Sequence, residues 1–330
     1  MKLLLKLYFV LIISLFLIPA FLYPQSGEMI RDTSYTVYSA FKKYKKNYSF
    51  IKIVKPKMPE GISAEWNVVY QTYADRKLRL DIFYPDDTDE NYTAVLMIHG
   101  GGWNSGDRSL LVPFAQNLAA KGYVTATIEY RLSPEAGYPA AVYDIKSAIR
   151  WLRANSKKYL IDTNRIAILG TSAGGHLVAL VGATNGMSKY EQLTDNQNFS
   201  SDVQAIVDID GILDFTDPAE SGKDTDVTKP SVGKLWLGYS YKENPGIWIE
   251  ASPLTYVNEN TPPIEFINSS FERFHAGRDQ AIEILNKYKI YSEVHTLPGT
   301  PHSFWLFHPW FEPAVEYVTE FLHKVFDKNQ

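Results

Sequence analysis

Cysteine is absent from all 330 residues. That excludes disulfides, a thiol nucleophile, cysteine-ligated metal and a lipid-modified N-terminal cysteine. Neither sign of charge is in large excess: 33 basic and 37 acidic side chains leave a formal −4, so no nucleic-acid partner is implied. The seven histidines are scattered and show no H-E-x-x-H spacing, and no metal or other cofactor is expected. Internal repeats and low-complexity runs are lacking too. What is left is a chain long enough to bury one large core.

The N-terminal end differs from the rest. Lys2 and Lys6 open a run, Leu7 to Tyr23, that is almost wholly apolar. A charged start before such a run reads as an export signal. Ala20 is a weak cleavage candidate, so a retained membrane anchor is the alternative. Residues 1–25 are therefore read as a signal peptide or N-terminal membrane anchor, with the remainder secreted, periplasmic or at the cell surface. Residues 26–60 form a basic extension with interleaved aromatics: Phe41-Lys42-Lys43-Tyr44-Lys45-Lys46, then Lys52, Lys55 and Lys57. It reads as a solvated tether or packing arm, or as a segment drawn to an anionic surface such as headgroups or uronate-rich polysaccharide.

From residue 61 to 330 strand-like and helix-like patterns alternate, which favours an α/β domain with a mostly parallel sheet and helices on both faces. Expected strands are Val68–Tyr73 and Leu78–Phe83 as an antiparallel hairpin, then Ala94–Ile98, Val124–Ile128, Ile166–Leu169, Ala205–Ile209, Ile264–Ile267 and Tyr291–Thr296. An amphipathic helix over Pro313–Val325 closes the chain. Residues 217–250, rich in Gly, Lys, Asp and Trp, read as a small lid insertion.

Three motifs carry chemistry. Gly170-Thr171-Ser172-Ala173-Gly174-Gly175-His176 lies between the apolar strand Ile166–Leu169 and an apolar helix-like run beginning at Leu177. A strand, a tight small-residue turn centred on serine, then a helix describes a nucleophile elbow. Its small residues let the two backbones pass closely, and the N–H of Ala173 lies beside the hydroxyl. His99-Gly100-Gly101-Gly102-Trp103 follows the strand at Ala94–Ile98. Its glycines allow backbone N–H groups to point into a pocket, so Gly101 and Gly102 join Ala173 as oxyanion donors. His302, in a loop after the last expected strand, lies C-terminal to the serine, where a general base belongs. His99 is expected to order its loop and His176 to sit within the elbow helix. His275, His295, His308 and His323 are read as structural or surface residues.

From about Tyr70 to Phe326 the chain resembles the α/β-hydrolase superfamily, in the esterase branch with H-G-G-G loops. That branch includes hormone-sensitive-lipase-like enzymes and bacterial carbohydrate esterases acting on acetylated, feruloylated or methylated plant polysaccharide. Glu129–Glu135, Tyr138–Ile145, Ala251–Leu254 and Thr261–Ile264 add to the likeness. The resemblance implies an eight-stranded α/β-hydrolase fold and a secreted serine carboxylester hydrolase that works through an acyl-enzyme without a cofactor. The implied partner is an ester-bearing polysaccharide or oligosaccharide, xylan or pectin.

Relatives place an aspartate shortly after the strand equivalent to Ile264–Ile267. Counting along that turn puts Glu272 in the acid's place. Asp279 is the runner-up, although it looks like an N-cap, and Asp214 is a third candidate. Trp103, Trp305 and Trp248 offer flat faces for a sugar or aryl group. Arg273 and Arg278, beside the presumed acid, suit a substrate carboxylate or pair locally with Glu272 and Asp279. Two rivals stand beside the esterase: a serine peptidase of the same fold, and a non-catalytic carbohydrate-binding scaffold, supported by the uncertain acid.

Overall fold

The computed structural model describes residues 32–326, apart from 33, 88–89, 134, 193–194 and 223–229. The expected signal or anchor at 1–25 lies outside the described residues. Among those described, no helix is long and apolar enough to cross a membrane.

Eight strands form one sheet: β1 (Ile62–Tyr73), β2 (Arg76–Pro85), β3 (Tyr92–Ile98), β4 (Val124–Ile128), β5 (Ile161–Thr171), β6 (Ala205–Ile209), β7 (Ile264–Asn268) and β8 (Ser292–Thr296). Their spatial order is β1-β2-β4-β3-β5-β6-β7-β8. β1 and β2 make an antiparallel hairpin closed by Tyr73 opposite Arg76, and β2 runs antiparallel to β4. Every later pairing is parallel. The parallel strands read as apolar runs because helices cover both their faces: every residue of β3, β4, β6 and β7 is buried.

Alternate side chains of each strand enter different cores. Leu96 and Ile98 pack with Ile145 and Ile149 of the helix Ala140–Ala154 and Leu177 and Leu180 of the helix Ala173–Ala183. Val95 and Met97 pack on the other face with Phe114 and Leu118, which belong to the helix Val112–Ala119, and with Val318 and Phe321 from the final helix Phe311–Phe326.

Residues 34–60 pack against the domain. The helix Val37–Tyr44 is opened by a Thr36–Ser39 capping box, which satisfies two orphan N–H groups. Ala40, Ile51 and Val54 are buried in the second core. Lys52–Ile53 pairs antiparallel with Phe307–His308. The described part of residues 217–250 folds into the short helices Pro218–Ser221, Val232–Leu237 and Pro245–Glu250. It is anchored by the buried rings of Trp236 and Trp248.

Candidate active site

β5 ends in the strained turn that presents Ser172, whose φ of 55° and ψ of −120° lie outside the regions most residues adopt. Two glycines make the turn passable. A Cβ on Gly170 would sit 2.1 Å from the Gly174 carbonyl oxygen, and one on Gly174 would sit 2.1 Å from that of Ile98. The Ser172 N–H donates to the Ile209 carbonyl at 2.8 Å, tying the elbow to the end of β6.

His302 Nε2 lies 2.7 Å from Ser172 Oγ, and its Nδ1 lies 2.8 Å from Asp210 Oδ2. With Nδ1–H donating to the carboxylate, Nε2 is left to accept the hydroxyl proton. The imidazole stacks on Phe274, ring centroids 3.7 Å apart and 6° from parallel. Trp305 meets it edge-on at 5.2 Å. Asp210 is fully buried. Its Oδ1 accepts the Ser269 N–H at 2.7 Å, and its own N–H donates to Ile267 O at 3.0 Å. A backbone donor and an imidazole together offset the cost of burying this carboxylate.

The acid is therefore not where the turn count placed it. Glu272 is exposed on the single turn Glu272–His275. Asp279 has a side chain 72% exposed and paired with Arg278 at 2.8 Å; that hydrogen bond holds its carboxyl below the usual range. Nor is Asp279 an N-cap, since Gly277 caps the helix Arg278–Lys287. Asp214 Oδ1 is taken by the N–H and hydroxyl of Thr216. Because β6 lies between β5 and β7, its end is one strand closer to Ser172 than the loop after β7. Asp210 was legible in outline: it follows the apolar strand Ala205–Ile209 and precedes Gly211, the same strand-to-turn pattern that marked the serine.

Gly102 and Ala173 line a cavity of about 150 Å³ over Ser172. Ala173 opens the helix Ala173–Ala183, and first-turn N–H groups have no intrahelical partner. Gly101 and Gly102 have φ of 136° and 61°. The Gly101 carbonyl accepts from Ser105 N–H and Asn104 N–H, which curls the loop back on itself. His99 stacks on Tyr130 at 4.6 Å and orders the same loop.

The expected substrate residues fare differently. Trp103 is 3% exposed and stacks on Trp236 at 5.2 Å. Its indole N–H donates to His176 Nδ1 at 3.1 Å, while His176 Nε2–H donates to the Ala251 carbonyl at 2.8 Å. Burial pushes the His176 pKa down to about 4. Trp103 thus belongs to a buried aromatic wall that borders the cavity over Ser172. Trp305, also 3% exposed, braces His302. Trp248 is fully buried. Arg273 lines the 150 Å³ cavity and pairs with Glu220 of the insertion. Arg278 is held by Asp279 and by Asn268 Oδ1 at 2.8 Å, and does not border the cavity.

A second cavity, of about 460 Å³, also reaches Ser172 and His302 and is bordered by Gly101, Gly102, Val232 and the N-terminal helix. Among the described residues one group, Glu265, Glu293 and His295, could place three metal-ligand atoms within 4.8 Å of one another. None of the three borders either cavity, and Lys324 pairs with Glu293 at 2.7 Å.

Comparison with known proteins shows the family and the fold. The BD-FAE family model matches residues 80–284. Esterase LipC of Mycobacterium tuberculosis (strain ATCC 25618 / H37Rv) is 32% identical over 234 residues, 68% of this chain and 56% of that protein. An arylesterase of Saccharolobus solfataricus is 35% identical over 125 residues, 38% of this chain and 40% of that protein. The chain thus spans about half the length of these curated relatives. Among solved structures, a truncated form of carbohydrate esterase from gut microbiota superposes with a TM-score of 0.67 at 26% identity, covering 81% of this chain and 99% of that one. The bifunctional GH43-CE of Bacteroides eggerthii gives 0.67 at 30% identity, covering 80% of this chain and 38% of that one.

Proposed function

Because the chain belongs to the BD-FAE family and has the α/β-hydrolase fold, we propose that it is a serine carboxylic ester hydrolase acting on acylated carbohydrate. The observation that carries this reading is the unbroken relay from Ser172 Oγ through His302 to Asp210, with links of 2.7 and 2.8 Å.

The chemistry follows from the atoms. Ser172 Oγ attacks the ester carbonyl carbon while His302 Nε2 takes its proton. Asp210 holds the imidazole in the required tautomer and balances its positive charge. Negative charge on the carbonyl oxygen is met by the N–H groups of Ala173, Gly102 and Gly101. The alcohol leaves with the proton from Nε2. Water, deprotonated by the same nitrogen, then attacks the acyl-enzyme, and the proton passes from Nε2 to the departing Ser172 Oγ as the acid is freed. With Asp210 in place, the scaffold reading loses the observation that supported it.

The smaller cavity suits a short acyl group and the larger one a saccharide alcohol. Similarity to a carbohydrate esterase from gut microbiota supports the saccharide, and the charged-then-apolar N-terminal run supports action outside the cytoplasm. Xylan and pectin are the polymers this reading favours.

The test is hydrolysis of 4-nitrophenyl acetate, butyrate and octanoate, and of acetylated xylan and pectin, by wild type and Ser172→Ala. We expect kcat/KM to fall with acyl length and Ser172→Ala to lose at least about 10³-fold while remaining folded. Full activity in Ser172→Ala would end the reading.

A further inference from the structure

The larger cavity reaching Ser172 and His302 is walled on one side by residues 35–44, which precede the stretch matched by the family model. The helix Val37–Tyr44 is held there by more than one tie. Tyr35 Oη lies 2.8 Å from the hydroxyl of Ser303, the neighbour of His302. Phe41 and Tyr44 pack against Phe307 at 6.2 and 6.4 Å. Ala40 is buried.

The lysines of this basic segment have different neighbours. Lys45 Nζ donates to the carbonyls of Ser49 and Ile51. Lys42 lies over the ring of Tyr38, 4.8 Å from its centroid. Lys43 lines the cavity, with its ammonium 5.1 Å from the centroid of the Tyr44 ring. The other described lining residues supply hydroxyls, an amide, the His302 imidazole and apolar groups, and none is acidic. A cavity of about 460 Å³ is within the range, roughly 300–1,000 Å³, in which proteins enclose small ligands. A lysine, several hydroxyls and no carboxylate suit an alcohol that is both hydroxylated and negatively charged.

We infer that the N-terminal helix forms the alcohol-side wall of the active site and that Lys43 selects esters whose alcohol is a sugar acid, a uronate unit carrying an O-acyl group. This rests on the esterase reading above. It gives the basic segment a role in specificity that a tether would not have.

The experiment compares O-acetylated methyl galacturonate glycoside, with its carboxylate free, against the equally acetylated methyl galactoside. Both are measured on wild type, Lys43→Ala, Lys43→Arg and Lys42→Ala, with 4-nitrophenyl acetate as a substrate lacking the sugar. Wild type should favour the anionic ester in kcat/KM, mainly through KM. Lys43→Ala should cut that preference about three- to fivefold, the effect of one partly exposed charge pair. Lys43→Arg should keep most of it, Lys42→Ala should keep it in full, and 0.5 M NaCl should shrink it in wild type. A wild type without preference, or a Lys43→Ala that retains it, overturns the inference while the esterase reading stands. Failure to cleave even 4-nitrophenyl acetate overturns both.

Discussion

The loops leaving β6 and β7 both reach His302, and they deliver different things. The β6 loop delivers a carboxylate: Asp210 is fully enclosed, fixed by the Ser269 N–H and aimed at Nδ1. The β7 loop delivers a ring, Phe274, stacked flat on the imidazole, while its own Glu272 faces water. The difference teaches that a triad acid is defined by enclosure and orientation, and that counting residues along a turn captures neither. An exposed carboxylate is screened by water and pays side-chain entropy to reach a partner. One already desolvated and held by backbone needs no further ordering.

That contrast can be attacked at several points. The largest effect on stability is expected from Gly211→Ala. An added Cβ would meet the His176 nitrogen at 2.4 Å and Asp208 Oδ1 at 2.3 Å. Backbone in the β6 corner would have to shift, costing about 3 kcal/mol and misplacing Asp210. Calorimetry and ester assay should therefore fall together; a fully active, equally stable variant would show the corner to be looser than described.

Asp208 gives an intermediate effect. Burial pushes its pKa up to about 8, with the nearby Asp210 adding to the rise and the Gly211 N–H opposing it. An acid whose folded pKa is raised stabilises the fold fully below its unfolded value, near 4, and loses that contribution as pH climbs towards 8. Asp208→Asn keeps the acceptor for the Gly211 N–H and removes the charge. Its Tm relative to wild type should thus climb between pH 4 and 8, by at least about 3 °C. A gap that stays level would show that Asp208 ionises without penalty.

The smallest effect belongs to Glu272→Gln. An exposed side chain outside the relay should change kcat/KM on 4-nitrophenyl acetate by less than about twofold. A larger fall would bring the β7 loop back into the mechanism.

Much of this molecule is legible in its sequence, and the parts that are not share a cause. The sheet is written in apolar runs such as Ala94–Ile98 and Ala205–Ile209, which mark strands buried on both faces. β1 and β5 extend beyond the expected Val68–Tyr73 and Ile166–Leu169, to Ile62 and Ile161. Ladder hydrogen bonds continue through polar residues that periodicity does not flag. Ser172 and His302 stand in turns whose local chemistry identifies them. Asp210 reaches His302 across 92 positions, through a contact that exists only because β6 lies between β5 and β7. The burial of Trp103 and Trp305 is likewise tertiary, since an aromatic cluster looks the same in sequence whether it makes a wall or a platform.

The most direct test is kcat/KM of Asp210→Asn on 4-nitrophenyl acetate, with folding checked by circular dichroism and Tm. If Asp210 orients His302, the variant stays folded and loses about 10³- to 10⁴-fold, because an amide N–H in place of a carboxylate oxygen favours the wrong imidazole tautomer. A folded Asp210→Asn within tenfold of wild type would contradict the relay of Ser172, His302 and Asp210.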